Sequence, residues 1–136
     1  MERSPPVAPA TARCIRKGIL LIAHGSRDAG WAAPFEQLHE RVGAHGQLVA
    51  LAYLERMAPD IETAVRDLVV LECTHAVVVP LFLGQGGHVR EDLPRIIAAE
   101  MQRHPSITLT LAPPIGEDSR VLDAITAACV AHLAGV

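Results

Sequence analysis

Residues 18–28 read GILLIAHGSRD, and the reading of this stretch decides the fold. GILLIA at 18–23 is an unbroken apolar run that stops at turn-type residues, the pattern of a strand covered on both faces. Then the period changes. Trp31, Phe35, Leu38 and Val42 recur at steps of four, three and four, which predicts one side of a helix ending near GAHG. The same alternation continues down the chain. QLVALAY at 47–53 predicts a second strand, and Ile61, Ala64, Val65 and Leu68 a second helical stripe with Pro59 in its first turn. HAVVVPL at 75–81 predicts strand three. After FLGQGGHVRED a third helix is expected to start around Asp92 to Pro94, burying Leu93, Ile96, Ile97 and Met101. ITLTL at 107–111 predicts strand four, and PPIGEDS leads to a helix with Val121, Leu122, Ile125, Cys129 and Leu133 on one face. Four such strand–helix units specify an α/β fold of three layers, α/β/α, because right-handed crossovers lay helices on both sides of a parallel sheet. The expected strand order is 2-1-3-4.

The chain has 136 residues, half of them apolar, which suffices for one domain with a core and leaves no room for two. Residues 1–17, MERSPPVAPATARCIRK, show no regular period and are expected to form a disordered tail, with a single domain over 18–136. No stretch reads as a secretory signal or reaches eighteen consecutive apolar residues, so a soluble cytoplasmic protein with no membrane partner is expected. Cys14, Cys73 and Cys129 are odd in number and form no C-x-x-C pair, which points to plain thiols. A formal charge of −3 and 3% aromatic residues give no footing for nucleic acid. Any anionic ligand must therefore be held by local arginines.

Sheets of this kind bind ligands beyond the carboxyl ends of their strands, where the strand order reverses. With the order 2-1-3-4 that point lies between strands one and three. His24 follows strand one, His88 lies in the loop after strand three, and Glu55 comes two residues after strand two. Adjacent strands are about 4.8 Å apart, so the three loops open side by side. Two imidazoles and a carboxylate are a donor set suited to divalent Co, Ni, Fe or Zn, and the same groups accept protons. Bracing hydrogen bonds for the histidines, and a solvated charge for Glu55, suit these positions as well. The glycines of GQGG, Gly86 and Gly87 among them, either admit a bulky ligand to the backbone or simply turn the chain. There is no G-x-S-x-G elbow and no G-x-x-x-x-G-K-[ST] loop. His39, His45, His75, His104 and His132 lack paired spacing and read as surface or packing residues.

Taken together, LLIAHGSRD, AYLERMAPDI, VVVPLFLGQGGHVREDLP and PPIGED resemble the sirohydrochlorin cobaltochelatase family, in particular the short single-domain members of the class II chelatases. The resemblance runs from about Gly18 into the last helix. It implies a chelatase-like fold and insertion of a divalent metal, cobalt first and iron or nickel as alternatives, into sirohydrochlorin or a related tetrapyrrole. Such an enzyme needs no ATP and no organic cofactor; the ion is a substrate, on a route to cobalamin or sirohaem. By the same resemblance His24 and His88 bind the metal and Glu55 assists. Ser26, Arg27 and Arg90 are candidates for the ring carboxylates, the arginines by bidentate pairing. Phe82 suits either the macrocycle or the core. Larger family members build their site between two similar halves, whereas this chain has one, so a homodimer is expected, with its interface beside the loops bearing His24 and His88. The competing reading is a cobalt or nickel carrier or sensor without catalysis, since a His-His-Glu set alone does not distinguish insertion from storage.

Overall fold

A computed structural model describes residues 14–136. Four parallel strands, β1 (Lys17–Ala23), β2 (Leu48–Tyr53), β3 (His75–Pro80) and β4 (Thr108–Leu111), form one sheet in the order β2-β1-β3-β4. Helices α1 (Ala33–Gly43), α2 (Ile61–Val70), α3 (Gly87–Arg103) and α4 (Ser119–Ala131) follow the strands in turn. This is the α/β architecture and strand order expected from the alternating pattern. Residues 1–13, most of the expected tail, lie outside the described residues. The ladder already takes in Lys17, opposite His75, and Arg16 exchanges bonds with Thr74: its N–H donates to Thr74 Oγ1 at 2.9 Å and its carbonyl accepts from Thr74 N at 2.9 Å. Among the described residues no helix is long and apolar enough to cross a membrane.

The period-two alternation of the strands divides the core. Leu20 and Ile22 of β1, Ala52 of β2, Ala76 and Val78 of β3 and Leu109 of β4 face α2 and α3, where Ile61, Ala64, Val65, Leu68, Leu93 and Ile97 cover them. Each fully buried Leu or Ile there contributes about 1.5–3 kcal/mol of transfer free energy. The opposite face carries a smaller cluster, Ala23, Ala32 and Tyr53, with Trp31 from the 3-10 turn Ala29–Ala32 and Phe35 from α1 packed against it.

Several local expectations are corrected, and one is that Ile96 of α3, expected in the core, is 37% exposed because Leu93 and Ile97 take the inward face. Pro59 stands before α2, whose N-cap is Asp60 with its carboxylate accepting from Thr63 N at 2.8 Å; that bond holds the Asp60 carboxyl below its ordinary range. Helix α3 begins at Gly87, not near Asp92 to Pro94, and Pro94 lies inside it. Proline is common in first turns, but at this interior position it has no N–H for the Arg90 carbonyl and its ring crowds that oxygen, and α3 runs on through it. Finally, α4 buries none of its residues: Leu122 is 48% exposed and Leu133 in the following turn 68%. Its apolar stripe is present, but its packing is with the flanking 3-10 turns (Ile115–Glu117 and His132–Gly135). The sheet face it would have covered stays open over Val77, Thr108 and Thr110.

Candidate functional site at the carboxyl ends of the strands

His24 is the first residue beyond β1 and is half-buried. Its ring lies against Phe82, just past β3, with centroids 4.2 Å apart and planes inclined by 31°. Phe82 is itself only 2% exposed. The loops after β1 and β2 are joined through their backbones: Leu54 N donates to the Ala23 carbonyl at 3.0 Å and Glu55 N to the His24 carbonyl at 3.1 Å. Gly25 makes this approach possible. Its φ is +95°, and a Cβ there would stand 1.8 Å from the Glu55 carbonyl oxygen. The glycine of AHGSR therefore holds His24 and Glu55 side by side.

The Glu55 carboxylate is exposed, with Arg56 Nε 3.5 Å from its Oε1. An ion pair in that setting is weak and leaves the carboxylate free for a ligand. Arg56 has φ 65°, a left-handed conformation that the sequence did not signal. Ser26 braces its own loop, its Oγ accepting from Asp28 N at 3.1 Å while Asp28 Oδ1 accepts from Gly30 N at 2.9 Å. Its hydroxyl proton is still available to a ligand. Arg27 is exposed beside it.

His88 belongs to the first turn of α3 and is exposed, as are Gly86, Gly87 and Arg90; the Arg90 N–H donates to the Gly86 carbonyl at 3.1 Å to open the helix. The structure thus brings His24, Glu55 and Phe82 together at the ends of three neighbouring strands. His88 stands at the start of the helix that follows β3. Among the described residues no three His, Cys, Asp or Glu side chains are gathered into a metal-ready group.

The sequence reading missed one feature of this end of the molecule. Tyr53 closes β2 and Phe82 follows β3, while Trp31, in the 3-10 turn before α1 (Ala29–Ala32), stacks on Phe35 of α1 at 4.5 Å and stands 6.4 Å from Tyr53. Burial, with the nearby Glu36 charge, pushes the Tyr53 hydroxyl above its ordinary pKa, so it stays protonated at neutral pH. Aromatics gathered at one end of a sheet were legible only as separate members of helix and strand patterns.

A parallel 2-1-3-4 sheet with an imidazole packed on a phenyl ring at its switch point defines an α/β protein whose chemistry lies beyond the strand ends. The chain belongs to the CbiX family, whose model matches residues 18–130. It is similar to the sirohydrochlorin ferrochelatase of Bacillus subtilis, 32% identical over 113 residues, which are 82% of this chain and 43% of that protein. It is also similar to the sirohydrochlorin cobaltochelatase of Sulfolobus acidocaldarius, 32% identical over 106 residues, 78% of this chain and 84% of that one. Among solved structures, a cobalamin-biosynthesis CbiX protein from Marinobacter aquaeolei superimposes with a TM-score of 0.80 at 36% identity, covering 88% of this chain and 99% of its own. The sirohydrochlorin chelatase SirB of Bacillus subtilis subspecies spizizenii, in complex with cobalt, gives 0.73 at 33% identity, over 83% of this chain and 49% of that chain. The chain thus spans about half the length of the Bacillus proteins and most of the length of the other two.

Proposed function

We propose that this protein inserts a divalent metal, cobalt first and iron or nickel as alternatives, into sirohydrochlorin or a closely related tetrapyrrole in the cytoplasm, without ATP or an organic cofactor. The observation that carries the reading is the placement of His24 at the carboxyl end of β1, packed on Phe82 and backbone-bonded to Glu55, in a chain of the CbiX family. Metallation replaces two pyrrole N–H bonds by metal–nitrogen bonds, so the ion sheds water while two protons leave the ring. His24 serves as principal ligand and as base, His88 as second ligand, and Glu55 as ligand or acceptor of the second proton. Ser26, Arg27 and Arg90 hold ring carboxylates, and Gly86 and Gly87 leave room for the macrocycle edge. Phe82 lies beneath the imidazole, so a supporting role suits it better than direct ring contact.

A homodimer belongs to the same proposal. The unburied stripe of α4 and the open face over Val77, Thr108 and Thr110 are unsatisfied surfaces of one chain, and a two-fold partner would cover both. Relatives of about twice the length support a paired site. The experiment is to mix the purified protein with sirohydrochlorin and each divalent metal and follow the visible spectrum. Metal-dependent conversion faster than the protein-free rate is expected. Metal uptake with no change in the tetrapyrrole spectrum would instead establish the carrier.

A further inference from the structure

We propose that Gly116, in the 3-10 turn after β4, is a positioning residue that holds Phe82 against His24. Only its activity arm rests on the metal-insertion reading. A Cβ at residue 116 would fall 2.0 Å from the Leu83 carbonyl oxygen, 2.5 Å from its Cα and 2.6 Å from its carbonyl carbon. These are backbone atoms, so no side-chain rotation relieves the clash. From the same residue the N–H donates to the Phe82 carbonyl at 2.9 Å. The turn after the fourth strand is thereby pressed onto the loop after the third.

Phe82 points inward from that loop and Leu83 outward, the first 2% and the second 68% exposed. Leu83 therefore offers the loop no side-chain anchor. The loop is tied at its start by Leu81 N, which donates to the Ile22 carbonyl at 2.7 Å, and across its middle by Gly116. On the other side the turn is backed by buried Pro114, whose carbonyl accepts from Glu117 N at 2.9 Å. A methyl group at 116 must separate turn and loop, and the phenyl ring moves with the loop. The imidazole then loses the surface that sets its tilt. Misplacing a reacting group by about 1 Å costs on the order of a hundredfold in rate.

The test uses the full-length chain carrying Gly116→Ala, with Phe82→Leu as the second variant because it removes the ring and keeps the backbone clamp. The His24 ring protons, read by NMR, lie over an aromatic face in the wild type. Both variants are expected to move them toward unstacked values, with circular dichroism unchanged. In the insertion assay kcat falls about tenfold to a hundredfold while KM for the tetrapyrrole changes little, and the double variant is no worse than the poorer single one. A folded Gly116→Ala protein with unmoved His24 resonances, or with the wild-type kcat, overturns the proposal. If Gly116→Ala does not fold, unmoved resonances in Phe82→Leu overturn it equally. A wild-type chain that metallates nothing defeats the function proposed above, and the resonances still judge the positioning.

Discussion

Gly25 and Gly86 separate two uses of glycine that the sequence alone left joined. At Gly25 the backbone is left-handed and a Cβ would strike the Glu55 carbonyl, so Gly25→Ala is expected to destabilise the fold by about 3 kcal/mol or more, read from urea unfolding. At Gly86 the φ is −72° and a Cβ meets nothing within 4 Å. Gly86→Ala should therefore leave stability within about 0.5 kcal/mol of wild type, and any loss of tetrapyrrole affinity in that variant reports contact with the ligand. A large loss of stability at Gly86 would show that the glycine serves the chain. His24 and Glu55 were legible as neighbours because strand adjacency follows from the alternating pattern. The device that locks them, a carbonyl passing under Gly25, was not, since close backbone approach leaves only a glycine as its trace.

The strands were readable to within a residue or so, because each is a short β-branched or apolar run bounded by turn-type or polar residues, whether buried on both faces like β1 or on alternate residues like β3 and β4. The start of α3 and the packing of α4 were not. Pro94 looks like a first-turn residue, and Gly87 is a poor helix former, yet α3 starts at Gly87 and carries His88 in its first turn. Helix α4 has the expected stripe, but a stripe states only that a face wants cover and not which surface supplies it. Its start depends on Asp118, whose carboxylate accepts from Arg120 N at 2.9 Å and from the Arg120 guanidinium, at 2.6 Å for Nη2 to Oδ2. Those bonds lower the Asp118 pKa from 3.8 to about 2. The contribution is therefore complete above pH 3.8 and is lost as the pH falls toward 2, where the folded form must also take up the proton. Helicity followed by circular dichroism should fall over that interval in the wild type. In Asp118→Asn this pH-dependent component should be absent; an unchanged acid titration there would remove the cap from the account.

At the scale of the molecule, the sheet is covered by α2 and α3 on one side and only partly by α1 on the other, and the proposed homodimer would bury the exposed apolar stripe of α4. Replacing Leu122 and Ile125, 48% and 38% exposed, by glutamate should yield a folded monomer in sedimentation, because the charges resist burial in an apolar contact. An unchanged dimer would place the interface elsewhere, and a wild-type monomer with full activity would show that one subunit suffices. The proposed chemistry lies at the end of the sheet where His24, Glu55 and Phe82 meet. Its most direct test is the rate of cobalt insertion into sirohydrochlorin by His24→Ala beside wild type. Because His24 is half-buried beyond the strand and outside both core clusters, the variant should keep the wild-type circular dichroism. Its insertion rate is expected to fall to that of the protein-free reaction. Insertion at the wild-type rate by folded His24→Ala would contradict the account.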